Sequence, residues 1–152
     1  MGTSDLDDLY AEIILDHYRN PRNTGLLADP DLQAEGFNPF CGDRVVLTLA
    51  LGADGGVERV GFEGEGCSIS QASASIMTEL LKGKSVQEAH ALNATFRALM
   101  ADAELPHGHT PDELGELTAL EGVKRFPVRI KCALLPWATL QDALAQPGAV
   151  RG

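Results

Sequence analysis

Three cysteines and one aspartate are the residues of this chain that could share one chemical task. The cysteines are Cys41, Cys67 and Cys132, and Asp43 stands two positions after the first of them. An odd number of cysteines cannot all pair as disulfides, and a reducing compartment would keep them as thiols. Thiolates and a carboxylate are ligands that zinc accepts in a tetrahedral site. An isolated cysteine can equally be a small buried apolar residue, so the neighbouring sequence must decide.

A predicted β-hairpin brings two of the cysteines towards each other. Residues 45–51 and 57–62 have the composition of strands, and the turn-forming sequence ADGG at 53–56 separates them. Because Cys41 precedes one strand and Cys67 follows the other, antiparallel pairing places both at the same end of the hairpin. Cys67 also precedes a predicted helix, whose dipole and unpaired amide hydrogens stabilise a negative charge. Cys132 then needs only to approach from the start of the last helix.

The remaining elements predict a helix-rich domain around this hairpin. Apolar spacing predicts a first helix over about residues 6–20 and another over 69–82, and a weaker signal at 33–37 predicts a third strand. A capping-box pattern opens a short helix at residue 85, and Asn93 or Thr95 could begin the next one. One helix, then a sheet, then several helices is the order of an α+β domain. We therefore expect a small antiparallel three-stranded sheet packed against several helices, in a single domain over residues 1–152.

Three expectations concern the C-terminal half. The sequence Thr110-Pro111-Asp112-Glu113 fits a helix start with a capping box. Pro136 falls within the last predicted helix, so that helix should start late or kink near Cys132, because proline breaks a helix interior. Residues 147–152 follow a Gln-Pro-Gly sequence and are expected to form a flexible tail.

The composition limits the classes of partner. The chain has 152 residues, of which 44% are hydrophobic and 22% charged, as in one globular domain. Its formal net charge of −10 would repel nucleic acid and anionic membranes. The N-terminus lacks a basic region and an apolar signal core, and no segment approaches the roughly 18 apolar residues of a membrane span. We therefore expect a cytoplasmic protein with no nucleic-acid or membrane partner.

Four motifs in order carry a resemblance to a known family. They are LDHYRNPRN at 15–23, NPFCGD at 38–43, GEGCSISQASAS at 64–75 and VRIKCA at 128–133. Together they cover nearly the whole chain and resemble the N-terminal signature and the three cysteine motifs of the SufU/IscU (NifU N-terminal-like) iron–sulfur cluster assembly family. A SufU/IscU-like fold is therefore expected. Phe40 and Pro136 depart from the pattern that we expect of the family.

Two features of the resemblance favour the SufU branch. IscU proteins carry a histidine directly before the last cysteine, whereas this chain has Lys131. The stretch between Cys67 and Cys132 is also longer than in IscU and resembles the SufU insertion, here at about residues 106–122.

The resemblance implies a metal site and a sulfur-transfer role. By likeness to SufU proteins, Cys41, Asp43, Cys67 and Cys132 would bind Zn²⁺, and Cys41 would accept persulfide sulfur from a SufS-like cysteine desulfurase. Downstream scaffolds or apo-acceptor proteins would receive the sulfur, which makes the chain a sulfurtransferase-like acceptor rather than a conventional enzyme. In one alternative the chain is a scaffold whose three cysteines bind a [2Fe–2S] cluster or iron. In another it is a structural zinc domain without catalysis.

Basic and histidine side chains offer further candidates. Arg129 and Lys131 could offset the negative charge of the ligand set, or they could be solvated surface residues. His107 and His109 lie between prolines without a nearby cysteine, so we expect solvent-exposed loop histidines. His17 lies among apolar helix positions and should have a structural, hydrogen-bonded role.

Overall fold

The chain folds into an α+β domain in a computed structural model that describes residues 2–40 and 42–146, with side chains from Tyr10 onward. Four α-helices, one 3₁₀ segment and three strands make up the described part. In chain order they are α1 (Gly2–Arg19), β1 (Leu32–Asn38), β2 (Asp43–Leu51), β3 (Val57–Glu65), α2 (Ser68–Leu81), α3 (Val86–Met100), the 3₁₀ segment (Pro111–Arg125) and α4 (Pro127–Leu144). Cys41 and the predicted tail at 147–152 lie outside the described residues.

The three strands form one antiparallel sheet in the order β1-β2-β3. The predicted hairpin is confirmed, and so is the weakly signalled strand, which extends over Leu32–Asn38. Asn38 pairs with Asp43 at the end of the β1–β2 ladder, and the next residue, Arg44, pairs with Glu65 in β3. The start of β2 therefore lies beside the end of β3, where the chain turns into α2.

The core lies between the sheet and helices α2, α3 and α4. Trp137 is fully buried in α4, and its ring centroid lies 5.3 Å from that of Phe96 in α3. Leu140 and Leu144 are buried on the same helix, so these three side chains of α4 are part of the core. On the other side of the sheet, the loop after α1 contacts β2, because the Leu27 amide donates a hydrogen bond to Thr48 Oγ1 at 3.1 Å.

Helix α3 is continuous, so the prediction of two helices in this stretch is wrong. The capping box at its start does form, with Ser85 and Glu88 exchanging hydrogen bonds. Asn93 does not begin a new helix, because its buried amide donates to the Trp137 carbonyl at 2.9 Å. Thr95 donates to the Ala91 carbonyl at 2.8 Å. The side chains of both candidate cap residues therefore donate to carbonyl groups of the folded chain instead of capping a new helix.

The segment after Thr110 is a 3₁₀ segment without the predicted capping box. Thr110 makes no side-chain capping bond, and Glu113 Oε2 instead lies 2.8 Å from His109 Nδ1. Gly115, with φ of 53°, interrupts the segment. Its three leucines, at positions 114, 117 and 120, are fully buried. That residues 106–122 are an insertion relative to IscU proteins stays a prediction.

Helix α4 contains Pro136 without starting late. It begins at Pro127, five residues before Cys132, and continues to Leu144, so the expectation of a late start is wrong, and the alternative of a kink near Cys132 stays a prediction. Pro136 has no amide hydrogen to donate to the carbonyl of Cys132, four residues earlier. Its neighbours Leu135 and Trp137 are both buried, and Trp137 packs against Phe96 of α3, so the segment stays helical within a packed environment despite the missing donor.

His17 connects α1 to two other elements. Its side chain is 1% exposed, its Nδ1 lies 2.7 Å from Ser75 Oγ in α2, and its Nε2 lies 3.0 Å from Glu116 Oε1 in the 3₁₀ segment. Ser75 Oγ also accepts a hydrogen bond from the Arg22 amide at 2.9 Å. The predicted structural role of His17 is confirmed.

Gly66 permits the close approach of β2 to the start of α2. Its φ is +136°, in the region that L side chains rarely adopt. A Cβ atom at this position would lie 2.1 Å from Asp43 Oδ1 and 2.9 Å from Asp43 Cα. Only glycine allows the backbone to pass this carboxylate.

None of the helices described here combines the length and the apolar character needed to cross a membrane.

Replacing His17 by alanine should destabilise the protein. The change removes two hydrogen bonds and leaves empty space beside the buried Ser75 side chain. We therefore expect a loss of about 1–3 kcal/mol in the free energy of unfolding. Urea denaturation followed by circular dichroism measures this change. The exposed His90 on α3 provides the matched control, and equal effects of H17A and H90A would contradict the assignment.

Replacing Gly66 by alanine should be more harmful than the same change at Gly122. A Cβ at Gly66 collides with Asp43 and forces an unfavourable φ, so about 1–3 kcal/mol of stability should be lost. Gly122 has open space around its Cβ position, and a surface change of this kind should alter stability by no more than about 0.5 kcal/mol. Parallel urea titrations compare the two variants. Indistinguishable midpoints would show that the close approach at Gly66 is not required.

Candidate metal centre

Three potential ligands from three elements converge at one end of the sheet. One ligand atom each from Asp43, Cys67 and Cys132 lies within 4.8 Å of the other two. Asp43 opens β2, Cys67 is the residue before α2, and Cys132 lies in the second turn of α4. Asp43 and Cys132 are fully buried, whereas Cys67 is half-buried.

The fourth predicted ligand is Cys41, which lies outside the described residues. It belongs to the connection between Asn38 and Asp43, which face each other at the end of the β1–β2 ladder. A single residue, Gly42, separates it from Asp43. Its participation in the site and its role as sulfur acceptor stay predictions.

The Asp43 carboxylate is held by the chain that follows β3. Its Oδ1 accepts a hydrogen bond from the Cys67 amide at 2.9 Å, and its Oδ2 lies 3.8 Å from Cys67 Sγ. Among the side chains from Tyr10 onward in the described ranges, no basic nitrogen lies within 4.0 Å of this carboxylate. A buried carboxylate is costly unless it is paired or coordinates a cation. The position of Asp43 therefore favours a bound cation.

Cys67 lies at the N-terminus of α2 with its sulfur turned towards the site. Its backbone is extended, with φ of −74° and ψ of 165°, and its side chain makes no capping bond to the helix. Ser70 Oγ lies 3.9 Å from Cys67 Sγ and donates a hydrogen bond to the Cys67 carbonyl at 3.1 Å. The thiol is thus left to face Asp43 rather than the helix backbone.

Cys132 lies between its own helix and the end of β1. Its sulfur is 3.8 Å from the Val128 carbonyl oxygen one turn earlier and 3.9 Å from Asn38 Nδ2. Asn38 is buried as well.

Sequence reasoning missed Asn38 and Ser70 as contributors to the site. Their signal was position alone, because Asn38 opens the NPFCGD motif and Ser70 lies three residues after Cys67.

Lys131 and Arg129 lie on the exposed side of α4. Lys131 Nζ is 4.8 Å from the centroid of the Phe40 ring, within the range of a cation–π contact. Arg129 lines a cavity of about 610 Å³ together with Phe126 and Ser68. That either cation offsets the charge of the ligand set stays a prediction.

The loop histidines do not join the ligand group in the described part of the chain. His107 is exposed, and His109 pairs with Glu113.

The donor chemistry of the convergent group fits zinc. Two sulfurs and one carboxylate oxygen, from separate elements and within bonding reach of a common ion, are ligands of the type that zinc takes in tetrahedral sites. The same sulfurs could also bind an iron–sulfur cluster, so the donor set alone does not separate the two.

Comparison with known proteins identifies the family. The model of the NifU-like N-terminal domain matches residues 9–133. The chain is 46% identical over 143 residues to the zinc-dependent sulfurtransferase SufU of Bacillus subtilis, covering 94% of both chains. It is 40% identical to the iron–sulfur cluster assembly scaffold protein IscU of Streptococcus pyogenes, covering 95% of this chain and 87% of that protein.

A solved structure has the same fold. The crystal structure of a proposed iron–sulfur cluster assembly scaffold protein for the SUF system, from Fervidobacterium islandicum, matches with a TM-score of 0.80 and 37% identity, covering 88% of this chain and 94% of that one. On these grounds, the chain belongs to the NifU-like N-terminal domain family of iron–sulfur cluster assembly proteins.

Proposed function

We propose that this protein is a zinc-dependent sulfur acceptor of iron–sulfur cluster assembly, which takes persulfide sulfur from a cysteine desulfurase. The observation that carries the proposal is the buried convergence of Asp43, Cys67 and Cys132 within 4.8 Å of one another. The Bacillus subtilis relative, at 46% identity, is a zinc-dependent sulfurtransferase, which supports the choice of zinc and of sulfur transfer.

The proposed ligands are Cys41, Asp43, Cys67 and Cys132. Zinc, when bound, keeps the thiolates deprotonated at neutral pH and supplies no redox chemistry of its own. Asp43 is held by the Cys67 amide at 2.9 Å, so its carboxylate stays in position independently of Cys41. The burial of Asp43 and Cys132 excludes water from two of the donors.

Cys41 is the proposed acceptor. Its thiolate attacks the outer sulfur of the persulfide on the donor cysteine, and a new S–S bond forms on Cys41 as the donor's S–S bond breaks. The donor cysteine leaves as a thiolate, so the transfer needs no external oxidant or reductant. The persulfide on Cys41 then passes to a downstream scaffold or apo-acceptor, and we place this exchange in the cytoplasm.

A cluster scaffold is the second candidate function. It is favoured by the 40% identity to the Streptococcus pyogenes scaffold protein and by three cysteines that could bind a [2Fe–2S] cluster. Lys131 stands directly before Cys132, where the family resemblance leads us to expect histidine in IscU scaffolds. This position favours the relay.

Metal analysis and a desulfurase assay test the proposal together. Protein purified without oxygen should contain one zinc per chain, and it should stimulate turnover of a SufS-type desulfurase. The Cys41→Ala variant should lose this stimulation by tenfold or more, because it lacks the accepting thiolate. Asp142→Ala, at an exposed position on α4, is the control and should stimulate like the wild type.

Each alternative has its own outcome. Full stimulation by Cys41→Ala with zinc bound would show that the relay is wrong. A visible cluster chromophore that transfers to an apo-acceptor would support the scaffold. Tight zinc without any stimulation by the wild type would leave a structural zinc domain.

A further inference from the structure

Asn38 contacts both the turn that follows β1 and the sulfur of Cys132 in the candidate metal centre. It is the last residue of β1, is 7% exposed, and pairs with Asp43 across the ladder. A buried amide must find hydrogen-bond partners for both its oxygen and its nitrogen. The oxygen and the nitrogen of the Asn38 amide contact different parts of the chain.

The amide oxygen shapes the turn that leads to Cys41. Asn38 Oδ1 accepts a hydrogen bond from the Phe40 amide at 3.2 Å. This bond to the backbone two residues later is the contact of an Asx turn, which replaces a backbone bond and tightens the chain. One end of the side chain therefore sets the start of the connection between β1 and β2.

The amide nitrogen contacts the sulfur of Cys132. Asn38 Nδ2 lies 3.9 Å from Cys132 Sγ. The Phe40 contact fixes which amide atom faces the sulfur, because a backbone amide can only donate and must meet the oxygen. The nitrogen is thereby directed to Cys132 as a donor. An N–H group that donates to a thiolate withdraws electron density from the sulfur and orients it.

We propose that Asn38 is a positioning residue of the metal centre, which fixes the turn before Cys41 and donates an N–H···S hydrogen bond to Cys132. The inference rests on the proposed function only in that the centre binds a metal. The inference assigns different roles to the cysteine sulfurs. Cys132 is fully buried and accepts from the Asn38 amide, so it is a fixed ligand and not the thiolate that receives the transferred sulfur. The transferred sulfur then belongs on a cysteine without this donor.

Metal competition and cobalt spectroscopy test the inference. Asn38→Ala should lower the affinity for zinc, measured by competition with a chromophoric chelator, by about 10–100-fold. In the Co²⁺-substituted protein, the sulfur-to-cobalt charge-transfer band of this variant should move to lower energy, because a sulfur without the amide donor is more electron-rich. A purely structural role would not move this band.

Two further variants separate the site from general stability. Asn93→Ala also removes a buried amide, one that donates to the Trp137 carbonyl in the core, and should leave both the affinity and the band unchanged. Asn38→Ser keeps an oxygen that can accept from the Phe40 amide, so the turn should survive, but it is too short to reach Cys132. It should show the same band shift as Asn38→Ala, and it carries the test if the alanine variant does not fold.

The outcomes distinguish this inference from the proposed function. Wild-type protein that binds zinc tightly, with Asn38 variants that match Asn93→Ala in affinity and spectrum, would overturn the role of Asn38 alone. Wild-type protein that binds neither zinc nor cobalt would overturn the proposed function and this inference together.

Discussion

The buried carboxylate of Asp43 is the feature on which the arrangement of the candidate centre depends. A charged group without contact to water requires compensation, and here the amide of Cys67 supplies one hydrogen bond at 2.9 Å. That bond also ties the start of β2 to the residue before α2, so the same contact orients a ligand oxygen and a ligand sulfur. Gly66 makes the contact possible because any side chain there would collide with the carboxylate. The same contact therefore determines both the position of two potential ligands and the packing of β2 against the start of α2.

The part of the site that follows from strand connectivity could be predicted from the sequence. The hairpin signals at 45–51 and 57–62 required the start of one strand and the end of the next to meet, and Asp43 and Cys67 do meet there. The α+β order of elements likewise followed from where the apolar periodicity changes. Cys132 could be placed only by its family motif, since no local pattern states where a helix docks. The docking of α4 on β1 and β2 depends on long-range packing.

Several features that escaped prediction depend on which partner a polar side chain finds in the folded chain. Asn93 and Thr95 have the composition of helix caps, but partners inside the fold satisfy them and α3 continues. Glu113 pairs with His109 instead of completing a capping box. Asn38 precedes Pro39 and has the composition of a turn residue, yet its amide nitrogen contacts the sulfur of Cys132, 94 positions away. Pro136 breaks helices in isolation, whereas tertiary burial on both sides of it preserves α4.

The aromatic ring of Phe40 has little to restrain it. It is 78% exposed, and the described contact on its face is the ammonium group of Lys131 at 4.8 Å. An exposed cation–π pair contributes only about 0.5–1 kcal/mol, comparable to thermal energy, so ring and ammonium part and rejoin by side-chain rotation alone. The residues that directly precede the first and the last cysteine are thus joined by a weak contact. Its loss requires no change in a strand or helix.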